Sequence, residues 1–212
     1  METGSWNEYV KFFAALLAIV NPLGAIPIFI TLTGGQKDEE RKKTGLMTAI
    51  SVAIILVVVL FTGEFILDFF GITVGSFRVG GGILILLMAI SMLHAKVSQV
   101  KQTEEEMNDY ADRDTGAVVP LGTPLLAGPG AISTVILYAQ RHSSGLHYAI
   151  MLFEIILLAV LVWLCFRAAP GIAKMLGKTG INVFTRIMGL FMAAVGVEFI
   201  ANGLKQLFPL LG

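Results

Sequence analysis

The chain has 212 residues and a formal net charge of zero; 56% of it is hydrophobic, only 14% is charged, and its mean hydropathy is +0.81. Soluble domains carry roughly 25% charged residues, so this composition describes an integral membrane protein, and the lack of a basic surplus excludes a nucleic-acid partner. The single cysteine, Cys165, lies in an apolar run beside Trp163 and Phe166; it precludes an internal disulfide and reads as packing.

Glu2, Glu8 and Lys11 precede the first apolar run, without the basic leader or small-residue cleavage site of a signal peptide, so that run is predicted to persist as a span. Windows of roughly 20 apolar residues place six spans near 12–32, 46–65, 79–93, 117–138, 146–166 and 187–208, the third beginning nearer Val74. Charged or turn-like segments separate them at 36–43, around Gly71, and at 96–115, 141–145 and 167–186. The first span contains Asn21-Pro22-Leu23-Gly24-Ala25-Ile26-Pro27, and proline inside a span frees backbone groups that hydrocarbon cannot satisfy. The second span ends in Glu64 and Asp68, read as solvated, and the third opens after Arg78 on Gly80-Gly81-Gly82 and ends at the interfacial His94. The fourth carries the second break, Ala127-Gly128-Pro129-Gly130-Ala131-Ile132; Pro22, Pro27, Pro120, Pro124 and Pro129, five of seven prolines, fall in these two stretches. The fifth span holds Glu154, and the sixth holds Glu198 and Asn202 together with Gly189, Ala193 and Gly196.

The halves echo one another. Pro, Gly, Ala and Ile recur in order at both breaks; Thr44-Gly45-Leu46 is matched by Ser144-Gly145-Leu146, and Ala49-Ile50 by Ala149-Ile150. Phe77-Arg78-Val79-Gly80-Gly81 aligns on Thr185-Arg186-Ile187-Met188-Gly189, which makes Arg78 and Arg186 anchors at opposite faces. Three spans per repeat force inverted topology. The predicted fold is therefore an all-α integral membrane protein: six transmembrane helices in one domain over 1–212, as two inverted three-helix repeats (about 8–95 and about 117–208) with discontinuous first and fourth helices. Eleven Lys and Arg lie in the segments on one side and four (Lys11, Arg78, Arg141, Lys205) on the other. The excess of basic residues on cytoplasmic segments places both termini outside the cytoplasm.

Matched breaks in two halves point to a binding site near mid-membrane. A half-helix starting at Gly24–Pro27 or Gly130–Ser133 would offer unpaired N–H groups and a positive dipole end, a site for a carboxylate. Candidate substrate-binding residues are Asn21, Pro22, Gly24, Ala25, Thr123, Gly128, Pro129, Gly130, Ser133 and Thr134; candidate ion-coupling residues are Glu198, Glu154 and Asn202. Glu198 is read as the ionisable residue nearest the membrane centre. No Gly-rich phosphate cradle, catalytic constellation or metal-ligand cluster occurs, so no cofactor, metal or enzymatic activity is expected.

The stretches Asn21 to Phe29 (NPLGAIPIF) and Pro120 to Ile132 (PLGTPLLAGPGAI) resemble the MarC family of six-span inner-membrane proteins, which includes small neutral amino acid transporters. The resemblance, in length and span count over essentially the whole chain, implies transport of small neutral amino acids such as glycine and alanine, driven by a proton or sodium gradient. The implied partners are the amino acid, the coupling ion and membrane lipid, with a homo-oligomer as a further option. The leading expectation is a secondary transporter working by alternating access; the alternatives are a membrane scaffold or assembly protein without substrate, or an exporter of other small solutes.

Overall fold

Hydrocarbon offers the backbone no water, so each spanning segment must pair its own N–H and C=O groups. The computed structural model describes residues 5–94 and 126–208, and within them the regular structure is entirely helical. Seven helices follow in order: α1 (Trp6–Val20), α2 (Ile26–Leu32), α3 (Asp38–Phe69), α4 (Val74–Leu93), α5 (Pro129–Ala139), α6 (Gly145–Gly177) and α7 (Thr179–Leu207). Four of them, α3, α4, α6 and α7, are long and apolar enough to cross a membrane.

The third span starts at Val74, where Thr73 Oγ1 accepts from the Ser76 N–H at 3.1 Å. Two segments expected as loops are largely helical instead. α3 already begins at Asp38, because Asp38, Glu39 and Glu40 suit the positive end of a helix and the Lys37 N–H donates to Glu40 Oε2 at 2.9 Å. α6 continues past Arg167 and Pro170 to Gly177, whose φ of 61° reverses the chain into α7. The expected fourth span is represented from Leu126 onward, and only its second part, α5, is a described helix.

Small residues set a close backbone contact between α4 and α7. Gly75, Gly82 and Ala89 recur every seven residues on α4, and Gly189, Gly196 and Gly203 do so on α7. The helices run antiparallel with these positions face to face: Gly75 opposes Gly203, Gly82 opposes Gly196 and Ala89 opposes Gly189. A Cβ at Gly82 would stand 2.8 Å from the Gly196 carbonyl oxygen, and one at Gly203 would stand 2.8 Å from that of Gly75. Only glycine permits backbones this close.

Polar contacts close the Trp6 end. Tyr9 OH and His147 Nδ1 are 3.0 Å apart, His147 Nε2 lies 2.9 Å from the Tyr138 carbonyl, and Glu8 pairs with Arg141 at 3.2 Å and with His142 at 3.1 Å. These bonds tie α1 to the turn between α5 and α6. At the Asp38 end, Phe29 of α2 stacks on Phe166 of α6 with centroids 4.3 Å apart, over Gly45 of α3. Arg41 donates to the Thr33 and Gln36 carbonyls beyond the end of α2. The segment expected as the first span thus reaches from the Trp6 end to the Asp38 end of the helix bundle as two helices, α1 and α2.

Candidate functional site

α1 stops because Asn21 turns left-handed, with φ 45° and ψ 61°. A short amide side chain tolerates that conformation better than most, since it can bond locally. Asn21 Oδ1 does so, accepting from the Gly24 N–H at 3.0 Å. Residue 24 must be small: a Cβ there would strike the Asn21 amide, 2.7 Å from its Cγ. The Ala25 N–H donates to the Asn21 carbonyl at 3.2 Å and the Ile26 N–H to that of Leu23 at 3.2 Å, leading into α2. The expectation of unpaired N–H groups at this start is therefore corrected for Gly24, Ala25 and Ile26, because the turn satisfies them internally. Pro22 is buried beside them.

The second start is built differently. Gly128 is extended, Pro129 occupies the first helical position, where its missing N–H costs nothing, and the Ile132 N–H donates to the Gly128 carbonyl at 3.1 Å. The next N–H groups, of Gly130 and Ala131, have no partner within the helix by geometry, so the positive dipole end of α5 sits at Gly130. Gly130, Ala131, Ser133 and Thr134 are buried, and α5 packs against α1, α3 and α4. Thr134 Oγ1 donates to the Gly130 carbonyl at 2.9 Å, whereas the fully buried Ser133 Oγ has no partner among the described residues.

The end of α1 meets the start of α5. A Cβ on Gly130 would stand 2.9 Å from Ile19 Cγ2, two residues before Asn21 ends α1, and would overlap Ile85 of α4. A small cavity of about 20 Å³ lies at the first break, with Asn21, Gly24 and Ala25 on one wall and Met88, Met92 and Met192 on the other. It is about large enough for one water. The methionines were not singled out from sequence; the i, i+4 spacing of Met88 and Met92 on an apolar helix is the only signal they leave, and it is shared by ordinary core residues.

Thr123 lies outside the described residues. The carboxylates stand apart from the breaks. Glu154 of α6 is 9% exposed and borders a groove with α1, and its Oε2 is buried without a partner among the described residues. Glu198 is on an exposed face of α7 and accepts from Asn202 Nδ2 at 2.6 Å. α7 starts at Thr179 rather than near Ile187, so Glu198 lies past the helix midpoint towards Leu207. Arg78 is half-buried near the start of α4, its guanidinium 5.4 Å from the Phe199 ring centroid, and Arg186 is exposed near the opposite end of the α4–α7 pair.

Comparison with known proteins follows the same lines. Residues 6–208 match the MarC family, described as integral membrane proteins. The chain is 47% identical over 206 residues to a UPF0056 membrane protein of Buchnera aphidicola subsp. Schizaphis graminum, covering 97% of this chain and 96% of that one. It is 47% identical over 201 residues to the UPF0056 membrane protein YhcE of Escherichia coli (95% and 94% covered) and 40% identical over 203 residues to YvbG of Bacillus subtilis (95% and 96% covered). No solved structure matches significantly.

Proposed function

The chain belongs to the MarC family of integral membrane proteins, a multi-pass membrane family, and from that premise we propose that it is a secondary transporter of small neutral amino acids such as glycine and alanine. One observation carries the proposal: Ile19, in the last turn of α1 before the break at Asn21, packs against the glycine-lined start of α5 inside the apolar core. A small zwitterion has a carboxylate for the positive end of α5 and an ammonium for the carbonyls ending α1. The Ser133 hydroxyl, buried and unpaired among the described residues, is a group a substrate can satisfy. Gly24, Ala25, Gly128 and Gly130 put no bulky side chain at the two breaks, which suits a small substrate.

Alternating access is the mechanism proposed, with the six-span chain organised as two inverted repeats and both termini outside the cytoplasm of the inner membrane. Antiparallel pairing of α4 with α7, the third spans of the two halves, supports the repeats, since equivalent spans of opposite topology must run this way. A cavity of about 20 Å³ is too small for an amino acid, so this conformation is read as closed. Loading requires α1 and α2 to part from α4 and α7, and the flexible side chains of Met88, Met92 and Met192 yield readily to such a movement.

The test is uptake and counterflow of labelled glycine and alanine by purified protein in liposomes, with an imposed proton or sodium gradient. Wild type should exchange label, and Gly130→Val, which pushes a branched side chain into Ile19 and Ile85, should abolish exchange. Folded wild-type protein that binds and moves neither amino acid under either gradient refutes the reading in favour of a scaffold.

A further inference from the structure

A groove of about 380 Å³ runs between α1 and α6, within the size range of small-molecule sites. Trp6, Val10 and Phe13 form one wall and Phe153, Glu154 and Leu157 the other. Trp6, Val10 and Phe153 are 82%, 62% and 65% exposed, so beside α6, a helix long and apolar enough to span a membrane, the groove opens sideways towards hydrocarbon. Its one charged lining residue is Glu154, and no Lys, Arg or His pairs with it among the described residues. An ionisable group buried in apolar surroundings is expensive unless it meets an opposite charge. Every other described interaction leaves Glu154 Oε2 without one.

We propose that this groove is a binding site for a lipophilic organic cation, whose positive centre sits against the Glu154 carboxylate and among the rings of Trp6, Phe13 and Phe153. Each part of the lining selects for that class. The carboxylate repels phosphate-bearing and other anionic amphiphiles, aromatic faces attract ammonium and phosphonium centres, and the aliphatic walls at Val10 and Leu157 suit a hydrocarbon body. Entry is from the bilayer, which concentrates such cations. The groove shares no lining residue with the cavity at Asn21, so the proposal does not rest on the transport reading.

The experiment measures equilibrium binding of labelled tetraphenylphosphonium, and separately of dodecyltrimethylammonium, to the full-length protein in phosphatidylcholine nanodiscs, with empty nanodiscs as background. The expected result is saturable binding at one site per chain, weakened about tenfold or more by Glu154→Gln. Val10→Trp fills the groove from an exposed position, leaves the carboxylate in place and should weaken binding comparably. Neutral dodecanol should show no saturable binding. Absence of saturable cation binding by wild type overturns the proposal. So does affinity unchanged in Val10→Trp, a variant that tests the site even where Glu154→Gln does not fold.

Discussion

Substituting alanine at Gly82 and at Gly80 separates close helix packing from mere helix propensity, because the two residues sit on α4 within one turn of each other. A Cβ at Gly82 would stand 2.8 Å from the Gly196 carbonyl oxygen, 2.8 Å from Ile200 Cγ1 and 3.0 Å from the Ile200 nitrogen. Two of those three atoms are backbone of α7, so the helices must separate rather than a side chain swing away. Overpacking costs about 1–3 kcal/mol, and a clash with two backbone atoms belongs to the upper part of that range, about 2–3 kcal/mol, offset by about 1 kcal/mol of helix propensity gained on replacing glycine. The net loss for Gly82→Ala is then about 1–2 kcal/mol, a fall of about 2–8 °C in melting temperature for a chain of this size. At Gly80 a Cβ meets nothing within 4 Å, and Gly80→Ala should melt at or above wild type. Thermal melts of the three proteins in one non-ionic detergent decide the matter. Equal behaviour of the two variants, or a Gly82→Ala protein as stable as wild type, refutes the face-to-face glycine register of α4 and α7.

Other outcomes follow from single contacts. Phe29→Ala removes a fully buried ring stacked on Phe166 and should destabilise by about 3–5 kcal/mol in the same melts, with Phe29→Leu markedly milder. Asn21→Ala should lose about 1–2 kcal/mol to left-handed strain and about 1 kcal/mol more to the lost bond with the Gly24 N–H; Asn21→Gly keeps the turn, loses only the latter, and should rank between wild type and alanine. Glu8, at the polar entrance to α1 ahead of the apolar stretch, has its carboxyl held below the usual carboxylate range, chiefly by the hydrogen bond from His142, with Arg141 adding to it. A depressed folded value means that its contribution is present above the ordinary carboxylate range and is lost as pH falls through the lower value. The melting gap between wild type and Glu8→Gln should accordingly shrink as pH falls through and below the usual carboxylate range, and a gap that does not shrink there is evidence against the ion pairs at this end.

How much of this was legible in the amino-acid order depends on the kind of interaction. Hydropathy marked the spans because transfer of apolar side chains is a local, additive property. Val74 as the start of the third span and the interruption within 21–27 rest on residues acting on their own backbone, Thr73 as a cap and Asn21 as a left-handed stop. The charged segments at 36–43 and 167–186 misled for the same reason. Charge signals exposure, but Asp38, Glu39 and Glu40 also favour a helix start, and nothing before Gly177 compels α6 to end.

Composition and local chemistry alone determined that this chain enters a membrane, that it is helical there, and that the first helix is disturbed within 21–27; that Asn21 itself ends α1 in a left-handed turn came from the structure. Tertiary structure decided which glycines are functional contacts and which are open surface, since Gly80 and Gly82 are neighbours in sequence with opposite surroundings. It also decided that Ile19 and Gly130 meet, that the methionines of α4 and α7 face the first break, and that Glu154 borders a groove on α1 while Glu198 faces outward. The physical reason is common to all of these. A residue's effect on its own backbone is written beside it, whereas what its side chain touches depends on helix rotation and register against a distant segment.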